Sequence, residues 1–255
     1  MKFKKLTFTS MDEKVLSARI DFPSSTKPAA YALFVHCFTC TKESKAAAYI
    51  SRSLTAQNIA VFRFDFTGLG ESSGAFEDTT FSSNIDDLIA AAKFMRIKYE
   101  GPRIIIGHSL GGAAALKAAG EIDSVRAVVS IGAPADPGHV MRHIKNHRQE
   151  IESKGVATVT IENRQFRIGK QFLEDLKQNR MKEAIKGLNR ALLVLHAPMD
   201  DTVGIENAGV IFQAARHPKS FISLDSADHL LTRPGDARYA GDLIAVWVRK
   251  YIGQA

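Results

Sequence analysis

Gly107-His108-Ser109-Leu110-Gly111 sets a serine between two glycines, each two residues away. That spacing suits acyl transfer. A serine hydroxyl is a weak nucleophile until a sharp strand-to-helix turn pushes it into the open beside a base. The flanks predict such a turn. Arg103-Ile104-Ile105-Ile106 has the character of a buried strand, and Gly112 with the alanines at 113 to 115 that of a helix settling close on a sheet. Alone, the pentapeptide occurs by chance in ordinary turns; its setting gives it meaning.

A serine nucleophile needs a histidine base at the carboxyl end of another strand, and the chain has 8 histidines. His217 precedes its strand, His108 adjoins the serine and should point away, and His139, His143 and His147 fall in an insertion. His36 and His196 end strands, but His36 heads a loop suited to another task. His229, after the strand at 221–224, is the best-placed base. Its second nitrogen needs a carboxylate to fix the tautomer and stabilise the imidazolium. His196-Ala197-Pro198-Met199-Asp200-Asp201-Thr202-Val203 offers two, of which Asp200 is preferred and Asp201 reads as a surface-loop residue. The oxyanion of a tetrahedral intermediate needs two donors. The expected pair is the N–H of Leu110 and the N–H of Phe38, in the loop His36-Cys37-Phe38-Thr39-Cys40.

These positions require strands that end at one edge, and the chain supplies them. Stretches 2–9 and 14–22 flank Ser10-Met11-Asp12-Glu13 and predict an opening antiparallel hairpin. Short apolar runs follow at 31–35, 59–64, 104–106, 125–131, 191–195 and 221–224, with helical patterns at 43–57, 83–99, 110–119, 204–215 and 237–252. Such alternation predicts an α/β fold with a mostly parallel, doubly wound sheet, whose ligand site lies beyond the carboxyl ends of the strands. Residues 134–187 interrupt it. Asp136-Pro137 opens a helix that Gly155 ends, 158–168 predicts a hairpin turning at Glu162-Asn163-Arg164, and 172–187 is helical again. An insertion there sits over the site as a small lid. The expected organisation is a single domain over 1–255 carrying this lid.

Composition narrows the function classes. Hydrophobic residues make up 45% and charged residues 24%, as in ordinary globular proteins, so neither disorder nor a repeat array is expected. The net charge of +7 is scattered, and its densest group, Arg142 to Arg148, lacks the interleaved aromatics of a single-strand groove. Nucleic acid is therefore not the expected partner. The basic amino terminus has no apolar stretch behind it and no run suits a bilayer, so a cytoplasmic protein without membrane contact is expected.

At this point the chain resembles the α/β-hydrolase superfamily. Ser109, Asp200 and His229 stand in its order; His36-Cys37-Phe38-Thr39 resembles its His-Gly oxyanion loop, with Cys37 where glycine is usual; and Arg63-Phe64-Asp65-Phe66-Thr67-Gly68-Leu69-Gly70-Glu71-Ser72 resembles its next loop. Within it, the chain is most similar to the hydrolase portion of bacterial hydrolase/OsmC-like fusion proteins, and more loosely to cinnamoyl and feruloyl esterases. The resemblance implies a serine carboxylesterase without cofactor or metal.

Four further features carry two readings each. Cys37-Phe38-Thr39-Cys40 has redox-motif spacing, but two thiols packed reduced under the loop are expected. His139, His143 and His147 recur every fourth residue, yet a solvated helix face outweighs a metal site. Glu71 is placed either at a substrate, or in a helix cap or facing solvent. Phe166, Phe172 and Met141 are available to line the lid, which points to small-molecule esters with short or aromatic acyl groups. A thioesterase or peptidase with the same triad, or a binding protein on this fold, is the alternative. Oligomeric state is not legible.

Overall fold

The computed structural model describes residues 2–25, 27–142, 144–161 and 164–253. The expected turn residues Glu162 and Asn163, and His143, lie outside them. The strands are β1 (Lys2–Thr9), β2 (Val15–Phe22), β3 (Ala30–Val35), β4 (Ile59–Phe64), β5 (Ile104–His108), β6 (Ala127–Ile131), β7 (Val156–Ile161), β8 (Arg164–Gly169), β9 (Ala191–His196) and β10 (Lys219–Ser223). The α-helices are α1 (Lys45–Ala56), α2 (Phe81–Lys98), α3 (Leu110–Ala118), α4 (Arg148–Lys154), α5 (Lys170–Gln178), α6 (Met181–Lys186), α7 (Glu206–Ala214) and α8 (Pro234–Val248).

Eight strands form one sheet in the order β1-β2-β4-β3-β5-β6-β9-β10. The hairpin β1–β2 is antiparallel, with Thr9 opposite Val15, and β2 joins β4 antiparallel. From β4 to β10 all pairs are parallel. This is the doubly wound arrangement that the apolar runs predict. Successive β3 side chains serve opposite faces: Tyr31, Leu33 and Val35 pack with α2 and α3, whereas Ala32 and Phe34 pack with α1 and α8. Burial on both faces leaves no place for polar alternation, which is why these strands read as continuous apolar runs. Among the described residues, no helix is long and apolar enough to cross a membrane.

The segment between β6 and β9 departs from expectation. Instead of one helix from Asp136 to Gly155, two 3₁₀ turns (Pro137–Arg142 and Lys145–His147) precede α4. Asp136 Oδ1 accepts the Gly138 N–H at 2.7 Å, and the His139 side chain is engaged with the Thr202 carbonyl, so side-chain bonds compete with helix continuation. The four-residue histidine spacing therefore does not mark one α-helical face. The second expected helix is likewise split into α5 and α6 at Asn179, whose amide turns back onto Asp175 O at 2.9 Å. The β7–β8 hairpin forms as expected, with Ile161 opposite Arg164.

One buried carboxyl gives the fold a pH dependence. Asp87 on α2 is 3% exposed and accepts the N–H (2.9 Å) and the hydroxyl (3.2 Å) of Thr67. Burial outweighs those hydrogen bonds and raises its pKa from 3.8 to about 6. The folded chain thus holds this proton more tightly than the unfolded one. Its contribution to stability is full below pH 3.8 and is lost as pH rises through about 6, to the extent of about 3 kcal/mol. Asp87→Asn keeps an acceptor and a donor for Thr67. Thermal melts from pH 4 to 8 should show a flatter pH profile in the variant and greater stability than wild type at pH 8; parallel profiles would contradict the assignment.

Candidate active site

The turn between β5 and α3 carries Ser109 at φ +55°, ψ −127°. Its N–H donates to Ile131 O of the neighbouring strand at 2.8 Å, and its carbonyl accepts the Gly112 N–H at 2.8 Å. A side chain at Gly107 would collide with the Gly111 carbonyl, and one at Gly111 with the His36 carbonyl, so both positions require glycine for close approach. The second of these contacts brings the start of α3 against the loop behind β3.

Ser109, His229 and Asp200 come together from three strand ends. Ser109 Oγ lies 2.9 Å from His229 Nε2, and His229 Nδ1 lies 2.7 Å from Asp200 Oδ2. The arrangement fits a neutral imidazole that donates from Nδ1 and accepts the serine proton at Nε2. Asp200 Oδ1 accepts the N–H groups of Thr202 (3.0 Å) and Val203 (2.8 Å). Burial works against ionisation of Asp200, but the hydrogen bond from His229, the attraction of that ring when it is protonated, and these two amides outweigh it and hold the pKa below the usual carboxylate value. Asp201, the alternative carboxylate, is exposed, and its Oδ1 faces the Thr202 hydroxyl at 3.2 Å.

Two further histidines fasten this cluster. His108 Nε2 donates to the His229 carbonyl at 2.7 Å, and burial, with His229 alongside, lowers its pKa to about 4. It stays neutral and anchors the His229 backbone. His196 Nε2 donates to Val203 O at 2.7 Å, closing the loop that bears Asp200, and stands 3.6 Å from Asp200 Oδ2. The sequence places His108 beside the serine and prefers His229 to His196 as the base; the carbonyl partners of both become identifiable only once the loops are folded.

A cavity of about 190 Å³ opens at the Ser109–His229 pair, with Phe38 and Leu110 in its wall. The Leu110 N–H is the first of α3, a position with no intrahelical acceptor. From the insertion, Pro134, His139, Val140, Thr160 and Ile161 contribute to the lining. Phe166, Phe172 and Met141 do not. Instead, the Phe38 ring packs on Phe172 (5.2 Å between centroids) and Phe76 (5.3 Å), and Phe76 meets Phe166 at 5.6 Å. Met141 is partly buried and packs against the core. Among the contacts that fasten the insertion, His139 Nε2 donates to Thr202 O at 2.7 Å, Arg164 donates to Thr39 O, and Asp175 accepts the N–H (2.9 Å) and the hydroxyl (2.6 Å) of Ser82.

Cys37 and Cys40, expected as reduced thiols, are joined in a disulfide. The Cys40 N–H bonds back to Cys37 O at 3.1 Å, and the turn brings the two Cα atoms to 5.2 Å, within disulfide reach. Glu71 does not line the cavity: its carboxylate receives the Lys42 ammonium at 2.7 Å.

Residues 26–168 match the family described as Serine aminopeptidase, S33, a span that includes Ser109 and ends before Asp200 and His229. The crystal structure of the esterase domain from a Rhodothermus marinus protein is 48% identical, with a TM-score of 0.82 over 99% of this chain and 100% of that one. Est1E from Butyrivibrio proteoclasticus, solved with ferulic acid bound, has a TM-score of 0.82 at 17% identity, over 98% of this chain and 100% of that one, a likeness of fold. The mitochondrial palmitoyl-protein thioesterase ABHD10 of Mus musculus is 27% identical over 185 residues, covering 70% of this chain and 59% of its own length. The expected α/β-hydrolase fold is thereby confirmed.

Gly132, just after β6, sits at φ +53° behind the Asp200–His229 pair. A Cβ there would stand 3.3 Å from Asp200 Oδ2 and 3.4 Å from His229 Nδ1. Gly132→Ala is expected to lower kcat for a p-nitrophenyl ester by about ten- to hundredfold, since small misplacements of reacting groups are costly. Far-UV circular dichroism should be unchanged. Full turnover in the folded variant would show that this pair tolerates displacement.

Proposed function

Because the chain belongs to the serine aminopeptidase S33 family of α/β-hydrolases, we propose that it is a serine-dependent carboxylic ester hydrolase working through an acyl-enzyme. The carrying observation is the hydrogen-bonded row of Ser109 Oγ, His229 Nε2, His229 Nδ1 and Asp200 Oδ2 at the mouth of a cavity. In the first half-reaction His229 takes the Ser109 proton while Oγ bonds to the ester carbonyl carbon. The carbonyl oxygen becomes an oxyanion held by the N–H groups of Leu110 and Phe38. Collapse of the tetrahedral intermediate breaks the bond to the leaving alkoxide, which receives the proton from His229. Water then repeats the sequence and releases the acid, drawing on no cofactor. Asp200 stays ionised throughout and supports the imidazolium.

We read the chain as one domain in which residues 134–187 form the lid, its latches being His139 on Thr202 O and Arg164 on Thr39 O. The size of the space beneath supports a small-ester reading. An apolar cavity of about 150 Å³ holds benzene, so about 190 Å³ suits a short acyl chain or a single aromatic ring. A long acyl chain would have to leave the cavity. Thioester hydrolysis by the same residues is the second reading, favoured by the resemblance to the mouse thioesterase. The substrate of the first reading is a small-molecule ester, and a cytoplasmic setting completes the proposal.

Hydrolysis of p-nitrophenyl esters from acetate to palmitate, by wild type and by Ser109→Ala, tests the proposal. Wild type should be most active on the shortest chains, and the variant should lose activity by about 10³-fold or more. A maximum at long chains would overturn the size argument, and full activity in folded Ser109→Ala would overturn the nucleophile.

A further inference from the structure

Lys42 is 2% exposed, an unusual place for a lysine, and all its polar groups are fastened to the end of β4 and the loop behind it. Its N–H donates to Asp65 Oδ1 at 2.6 Å, its ammonium donates to Asp65 Oδ2 (2.6 Å) and Glu71 Oε2 (2.7 Å), and its carbonyl accepts from Arg63. Asp65 is fully buried and also accepts the Glu71 N–H at 3.0 Å. Arg63 is braced in turn by Asp21 at 2.8 Å. At the other end of the same segment, His36 Nδ1 donates to Cys37 O at 2.7 Å, and its Nε2 accepts the Phe66 N–H at 3.4 Å. Two ties thus join the loop behind β3 to the loop behind β4. Phe38 lies between them.

A buried ion pair is a poor route to stability. Desolvation offsets most of the Coulomb attraction, and apolar side chains of similar volume often serve as well or better. What such a pair does supply is fixed geometry, because several charged hydrogen bonds must be satisfied together. The Phe38 ring is held by Phe76 and Phe172, and its backbone lies within the disulfide-closed Cys37–Cys40 turn, whose place the two flanking ties set. An oxyanion donor must stand 2.7–3.1 Å from the developing charge, so fixed loop geometry is what this position requires.

We propose that Lys42 is a positioning residue for hydrolysis: through Asp65 and Glu71 it sets the place of the Phe38 N–H relative to Ser109 Oγ. This rests on the reading of Phe38 as an oxyanion donor and Ser109 as the nucleophile. Lys42 itself touches no substrate. Loosening it leaves ground-state binding intact and weakens only the interaction made by the oxyanion.

The test is Lys42→Met, which keeps an unbranched side chain one atom shorter and removes the ammonium. For a short p-nitrophenyl ester, kcat should fall about ten- to hundredfold with KM changed less than about twofold. The inhibition constant of an alkylboronic acid, whose serine adduct mimics the tetrahedral intermediate, should rise in proportion to the loss of kcat/KM. Folding is checked by circular dichroism and thermal melting. A folded Lys42→Met with unchanged kcat, or with reduced kcat but unchanged boronic acid affinity, overturns the proposal. Should that variant not fold, Glu71→Gln decides. Its side chain is 60% exposed, and a parallel loss of about two- to fivefold in kcat and boronic acid affinity supports the proposal, whereas no loss overturns it. Ser109→Ala, run alongside, separates the layers. Activity that survives it breaks the nucleophile reading, while activity lost there and kept in Lys42→Met breaks the Lys42 proposal alone.

Discussion

The turn at Ser109 holds a non-glycine residue at φ +55°, a conformation that costs of order 1–3 kcal/mol and persists only where its surroundings over-determine it. The sheet provides those surroundings. β5 delivers the residue, the Ile131 carbonyl of β6 accepts its N–H, and α3 leaves at once along a path open only because Gly107 and Gly111 lack side chains. Everything else at the strand ends is arranged about this fixed point. If the turn relaxed, the hydroxyl would leave the imidazole and the first N–H of α3 would leave the cavity.

The loops around the turn are longer and individually weaker, and buried polar groups hold them. His108 holds the backbone of His229, His196 closes the loop bearing Asp200, and Lys42 with Asp65 joins the loops behind β3 and β4. Each tie pairs a donor with an acceptor that burial would otherwise leave unsatisfied, so losing one partner is penalised well beyond the bond itself. The apolar core sets where the strands end. These polar ties set where the loops go from there, over distances that decide whether groups meet at hydrogen-bond range.

Much of the frame was legible because physics writes it locally. Strands buried on both faces must be apolar throughout, and a nucleophile turn must place glycines near its serine. The approach of Ser109, Asp200 and His229 follows from parallel strands ending at one edge, which the alternation implies. What was not legible depends on partners distant in sequence. The helix expected from Asp136 breaks because His139 bonds to Thr202, 63 residues away. Phe166 and Phe172 face Phe38 and Phe76 instead of the cavity, a choice that helical and strand periodicity cannot express. Lys42 reads as a surface lysine until Asp65 and Glu71 close on it, and the Cys37–Cys40 disulfide depends on a turn whose geometry the spacing alone leaves open.

The central claim is a covalent acyl-enzyme on Ser109, and trapping it is the most direct test. The enzyme is mixed with excess p-nitrophenyl acetate, quenched in acid within the first turnovers, digested, and mapped by mass spectrometry. One acetyl group is expected on the peptide containing Ser109, at that residue, and none when quenching follows exhaustion of the ester. Acetylation of another residue, or turnover with no trapped adduct and a nucleophilic water as the only attacking group, would contradict it.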